Sequence, residues 1–206
     1  MPVITLSFGL FEANCHIVHN GRDAVVFDPA DDTCLVRDTL AAQGLTLRGV
    51  ALTHLHADHC LGCAGLTEAT GLIPIVGKED WEDRSLLLCK GMCFGMDLKP
   101  FSAIPVSEGR FSWGGLECEA LHTPGHSPGS LCYYFAGQGV AITGDVLFYR
   151  SVGRSDLPGG NAGQLMESIR SKVYALPDSV LVYPGHGPAT SVGEEKAGNS
   201  FCPAKA

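Results

Sequence analysis

The sequence predicts a single domain that mixes α and β structure without forming a simple doubly wound sheet. Two patterns carry that reading: strand-like and helix-like runs alternate through the first half of the chain, and three strand-like runs follow one another in the middle. A third observation bounds it. With 206 residues and 45% hydrophobic content, the chain can bury one sizeable core, and residues 1–206 fall within the usual range for one domain.

The elements follow in order. Cys15 to Val18 and Ala24 to Phe27 are apolar runs around Asn20-Gly21, a pair that tolerates positive φ, so they read as a β-hairpin. Cys34 to Gln43 carries Leu35, Val36 and Leu40 at helical spacing and stops at Gly44. Val50 to Thr53 reads as a strand, Leu61 to Thr70 as a helix closed by Gly71, Ile73 to Val76 as a short strand, and Lys78 to Leu88 as helical. Gly91 to Gly109, with Pro100 and Pro105, reads as irregular and as a candidate flexible cover over a site. Strands are expected at Leu116 to Leu121, Ser130 to Phe135 and Val140 to Thr143, then a helix at Ala162 to Tyr174 and a last strand at Val180 to Tyr183.

Composition excludes several function classes. A formal charge of −8, with charged residues at 17%, offers no broad electrostatic grip on nucleic acid, so a small-molecule substrate is expected. No apolar run approaches the roughly 18 residues that span a bilayer, and Met1 to Phe11 lacks the basic start of a signal peptide, so a cytoplasmic chain with no membrane partner is expected. Nine scattered cysteines, an odd number, fit reduced buried thiols better than a disulfide framework.

The chemistry concentrates in Thr53-His54-Leu55-His56-Ala57-Asp58-His59, directly after a predicted strand. On extended chain His54 and His56 point to the same side, while Asp58 and His59 fall where the chain turns towards the next helix, so one short segment can serve two metals. Further ligands stand at His126 in Thr-Pro-Gly-His, Asp145 in Thr-Gly-Asp and His186 in Pro-Gly-His, each just beyond a predicted strand, where sheet-based folds assemble sites from loops. The preceding glycines permit tight turns that aim each side chain back over the sheet edge. His122 reads as a supporting residue, and His16 and His19 as hairpin residues. Cys60, beside a metal ligand at a predicted helix start, is a candidate for oxidation.

These residues resemble the metallo-β-lactamase superfamily through His-x-His-x-Asp-His followed by the later His, Asp and His. The resemblance implies an α+β fold, a four-layer αβ/βα sandwich, and two divalent ions, zinc foremost with iron or manganese also suited. It further implies that His54, His56 and His126 bind one ion, that Asp58, His59 and His186 bind the other, and that Asp145 bridges both. Thr-Pro-Gly-His-Ser-Pro-Gly, Gly153-Arg154-Ser155-Asp156 and Pro184-Gly185-His186-Gly187-Pro188 are similar to the glyoxalase II group of hydroxyacylglutathione hydrolases, in its short bacterial form lacking the C-terminal helical domain.

That likeness implies cleavage of a thioester, a glutathione conjugate such as S-lactoylglutathione, by a bridging hydroxide, with Asp58 orienting the water or taking its proton. Arg154 stands at the position that meets the peptide-like part of glutathione, with Tyr149 and Arg150 weaker candidates in the same loop. The rival readings are a persulfide dioxygenase with a single iron and a metal-dependent hydrolase of another substrate.

Overall fold

The computed structural model describes residues 2–88 and 95–204, apart from the side chain of Leu86. Near-continuous apolar runs in the central strands demand cover on both faces. The chain provides it with two six-stranded sheets packed face to face and helices outside.

The first sheet runs in chain order, β1 (Val3–Phe8), β2 (Ala13–His19), β3 (Asp23–Phe27), β4 (Thr46–Ala51), β5 (Ile75–Gly77) and β6 (Ile104–Val106). It is antiparallel up to β3 and parallel beyond. The second contains β7 (Gly109–Trp113), β8 (Leu116–His122), β9 (Leu131–Phe135), β10 (Val140–Gly144), β13 (Leu181–Pro184) and β14 (Thr190–Ser191), in the order β14-β13-β10-β9-β8-β7. A separate hairpin, β11 (Leu147–Phe148) and β12 (Ser151–Val152), branches off after β10.

Alternation along each strand builds three layers of core. Val25 and Phe27 of β3 meet Leu131, Tyr133 and Phe135 of β9 and Ile142 of β10 between the sheets. The opposite residues, Ala24 and Val26, pack with Val36 and Leu40 of α1 (Thr33–Ala42) and Leu66 of α3 (Cys63–Thr70), beyond the short α2 (Ala57–Cys60). On the far side Cys132 and Ala141 pack with Leu165 of α6 (Ala162–Ser168) and Val192 of α7 (Val192–Gly198). The four-layer αβ/βα sandwich expected from the sequence is present.

Some boundaries move. The Asn20-Gly21 hairpin forms, with Gly21 at φ 93°, but the Asn20 side chain also accepts the Arg22 and Asp23 amides, so the loop is longer than the pair. The helix read from Leu61 starts earlier, with α2, so Asp58 and His59 lie on a helical turn and not in the approach to one. Lys78 to Leu88 breaks into α4 (Lys78–Glu82) and α5 (Arg84–Leu87). The helix expected from Ala162 to Tyr174 is α-helical only to Ser168 and continues as a π-helical turn, Ile169–Val173.

Gly91 to Gly109 is corrected in part: residues 91–94 lie outside the described ones, and the rest includes β6. Proline at position 105 obscured that strand, but β6 is a sheet edge, where a missing ladder donor is tolerated. Leu98 and Phe101 pack beside Leu52, Leu55 and Leu87, and no described residue of the segment lines the metal-site cavity.

β8 and β10 both run antiparallel to β9, and β13 runs parallel to β10, so their C-terminal ends share one edge. The Tyr133 hydroxyl donates to the Leu52 carbonyl (2.9 Å), tying the end of the β4 segment to the second sheet just before His54. Among the described residues, no helix is long and apolar enough to cross a membrane.

Candidate metal centre

The loops after β4, β8, β10 and β13 converge at that edge. His54 and His56 lie on extended chain before α2, with ring centroids 4.8 Å apart, and His126 comes within 4.6 Å of both rings. His56 Nδ1 and His126 Nε2 are 2.8 Å apart. On the other side His59 Nε2 is 3.3 Å from His186 Nε2, and Asp58 Oδ2 is 3.5 Å from His186 Nε2. One ligand atom from each member of His54, His56 and His126, and likewise of Asp58, His59 and His186, lies within 4.8 Å of the others. Asp145 stands between the groups, 3.5 Å from His126 and His59 and 3.6 Å from His186.

Two glycines permit this approach. A Cβ on Gly185 would overlap the Asp145 carboxyl, and Gly144, at φ 50°, lies against the Thr53 side chain. His54 Nε2, His56 Nε2 and Asp145 Oδ1 are buried without a hydrogen-bond partner. Orphaned polar atoms of this kind are rare in folded proteins. Imidazole and carboxylate donors grouped in threes are what zinc, iron or manganese accept, so the set fits divalent metal.

Outer hydrogen bonds aim the rings. The Nδ1–H of His126 donates to the Arg154 carbonyl (2.8 Å) and that of His186 to the Phe11 carbonyl (2.8 Å), which leaves each Nε2 for the cluster. His59 Nδ1 donates to Asp28 Oδ2 (3.1 Å). Asp28 is fully buried at φ 50° and also accepts the Thr53 amide and hydroxyl, both at 2.7 Å.

Sequence reading missed these supports. Asp28 follows an apolar strand, which was a usable sign. Asp80, which accepts the amides of Leu55 (2.9 Å) and Gly129 (2.5 Å) and the Ser127 hydroxyl (2.8 Å), has no local signature at all. Asn14 donates to the carbonyls of Pro184 and Gly187. His16, taken as a hairpin residue, also donates to Pro184 and so holds the loop bearing His186.

Other expectations separate. His122 donates to the Pro128 carbonyl (2.9 Å) and serves the loop of His126, as a supporting residue should. Cys60 is corrected: it is the last residue of α2, not at a helix start, and it is completely buried, away from oxidant. No disulfide joins the described cysteines. Arg154 lines the cavity, but its guanidinium is paired with Asp156 through two contacts of 2.8 and 2.9 Å. Tyr149 and Arg150 lie outside the cavity lining, the guanidinium resting 5.6 Å over the tyrosine ring.

The cavity has a volume of about 450 Å³. Asp58, His56, His126, Asp145 and His186 form its floor, and Phe11, Phe148, Val152 and Leu157 give it apolar walls.

The two groups differ electrostatically. Burial, then the neighbouring imidazoles, hold His54 far below the usual histidine range, and burial with His126 nearby pushes His56 down to about 3. Burial also lowers His126, so this trio presents neutral nitrogens. Burial opposes charge on His59 too, but Asp145, Asp28 and Asp58 outweigh it and raise its pKa to about 10. His186 is raised against burial by Asp58 and Asp145, and Asp58 is lowered against burial by His186 and His59.

Metal must therefore displace protons in the second group. Ligating imidazole is neutral, and His59 without metal holds its proton up to about pH 10. Loading at pH 7 should release at least one proton per chain, and apparent affinity should rise with pH. Calorimetric titration of the metal-free protein in buffers of different ionisation enthalpy measures this; identical heats in all of them would contradict it.

The metallo-beta-lactamase superfamily model matches residues 8–186. The probable metallo-hydrolase YqgX of Bacillus subtilis is 35% identical, over 98% of this chain and 95% of that protein. The hydroxyacylglutathione hydrolase GloC of Haemophilus influenzae is 30% identical, over 95% of each. The solved structure of TTHA1623 in a di-iron-bound form superposes with a TM-score of 0.85 at 32% identity, over 97% of this chain and 100% of that one. Fold, ligand geometry and these likenesses agree, and the chain belongs to the metallo-beta-lactamase superfamily.

Proposed function

We propose that this metallo-hydrolase cleaves thioesters, hydroxyacylglutathione conjugates of the S-lactoylglutathione type first among them, with two divalent ions, zinc foremost. His54, His56 and His126 would hold one ion, Asp58, His59 and His186 the other, and Asp145 both. Ions bound there supply the acidity that makes water nucleophilic near pH 7 and positive charge for a developing oxyanion. Asp58, ionised and facing the cavity, would orient that water by accepting a hydrogen bond from it.

The observation that carries the thioester reading is the make-up of the cavity. Among the described residues, the titratable ones lining it all belong to the ligand set apart from Arg154, and none of them is a separate acid for a poor leaving group. A thiol, with a pKa of about 8.5, departs as thiolate without one, whereas an amide nitrogen does not. The likeness to GloC supports the glutathione part.

The deciding experiment couples metal analysis of the purified protein to loss of the S-lactoylglutathione thioester. Two metals with turnover is the expected result. Two metals without turnover would move the reading to another substrate, and one iron per chain with oxygen uptake on glutathione persulfide would replace it with an oxygenase.

Arg154 tests the glutathione part separately. Its side chain must exchange Asp156 for a substrate carboxylate, a charge-assisted bond worth about 1.5 kcal/mol or somewhat more. Arg154→Ala should raise KM for S-lactoylglutathione about tenfold at unchanged metal content, because His126 is held by the Arg154 backbone and not its side chain. An unchanged KM would remove Arg154 from the substrate site.

A further inference from the structure

Phe148, Ser151 and Val152 of the β11–β12 hairpin line the cavity, yet these two short strands pair with each other outside both large sheets. The hairpin turns on Tyr149 and Arg150, and Arg150 sits at φ 56°, a left-handed conformation that disfavours a side-chain-bearing residue. Such a turn persists where its surroundings hold it.

The hold comes from α7. Glu195 is completely buried. Its Oε2 accepts the Arg150 amide (2.9 Å) and the Asn199 side-chain amide (2.8 Å), while Oε1 accepts the Thr190 hydroxyl (2.7 Å). Asn199 Nδ2 also donates to the Ser151 carbonyl (3.0 Å). One buried carboxyl and one amide thus grip the backbone of consecutive residues at the hairpin tip. Opposite Ser151, the Phe148 ring meets the His186 ring edge-on, with centroids 6.0 Å apart.

We propose that Glu195 is a positioning residue that, with Asn199, fixes the β11–β12 hairpin as a substrate-facing wall and thereby sets how tightly the site binds the flank of a large substrate. The inference rests on the hydrolase reading. It adds a specificity role for a helix that contributes no metal ligand.

The test compares the metal-loaded wild type with Glu195→Ala, Glu195→Gln and Asn199→Asp. Glutamine keeps an oxygen for Arg150 and Asn199 and turns its NH2 towards the Thr190 oxygen, so it should behave as wild type. Alanine, and aspartate at 199, should raise KM for S-lactoylglutathione about tenfold with kcat and metal content within about twofold. The small ester p-nitrophenyl acetate should be hydrolysed as by wild type. Hydrogen exchange of the Arg150 amide should accelerate about tenfold in Glu195→Ala.

Equal KM and equal exchange in all four proteins would overturn the proposal, as would a loss of activity that tracks loss of metal. If Glu195→Ala does not fold, Asn199→Asp carries the comparison. If wild type does not cleave S-lactoylglutathione, the substrate reading fails by itself, and the exchange result decides whether Glu195 holds the wall.

Discussion

Replacing Asp145 with alanine is expected to leave a folded chain that retains at most one metal ion and cleaves thioester at least about 10³-fold more slowly than wild type. Its carboxyl lies 3.5 Å from His126 in one cluster and 3.5 and 3.6 Å from His59 and His186 in the other, and its Oδ1, ion-paired with His59, makes no hydrogen bond. Removal takes away the ion pair with His59 and divides the site. The rate loss follows from the magnitude of preorganised electrostatic stabilisation, about 10²–10³-fold for a single donor, with the second ion lost in addition. Elemental analysis and initial rates measure the two effects together. Two ions retained, or a rate near wild type, would show that Asp145 does not bridge.

Asp145 also governs charge in the metal-free site. It is the foremost influence raising the His59 pKa, so its removal should bring His59 back towards neutrality at pH 7 and reduce the protons released on metal uptake. The residue proposed as a bridge thus also sets the charge of the metal-free site.

The candidate ligands stood out because each lies within two residues of a glycine, a proline or another candidate at the end of an apolar run, and local spacing records such arrangements. The mixed α and β class was legible through the alternating runs and the block of central strands, whereas the four-layer sandwich followed from the family resemblance. Elements at the rim were not: β1 carries exposed residues at alternate positions, and β6 is three residues long with a proline inside. The supporting shell was least visible. Asp28 reaches His59 across 31 residues, Asp80 reaches Ser127 across 47, and Asn14 reaches Pro184 across 170. No local pattern encodes a hydrogen bond between segments that only the finished fold brings together. The loop that bears Arg154 shows the same limit, since its recognised side chain is taken by Asp156 while its unremarkable carbonyl orients His126.

Asp80 should therefore have a large effect on stability although it lies outside the ligand set. It is completely buried on α4, and its two oxygens take three donors from the segments that carry His54 and His56 on one side and His126 on the other. Asp80→Ala orphans the Leu55 and Gly129 amides and removes one of the Ser127 hydroxyl's partners. Each buried orphan costs about 1–3 kcal/mol, and Ser127 retains Ser130 as a partner, so a loss of about 3–5 kcal/mol is expected. For a chain of this length that lowers Tm by on the order of 10 °C. The His54, His56 and His126 group depends on the same clamp, so its metal affinity should fall about 10- to 100-fold, the usual effect of losing an outer hydrogen bond at a metal site. Thermal unfolding of the metal-free protein isolates the first effect and competition with a chelator the second. A variant that lost stability but kept its metal affinity would mean that the two loops hold their ligands independently, with Asp80 serving the fold alone.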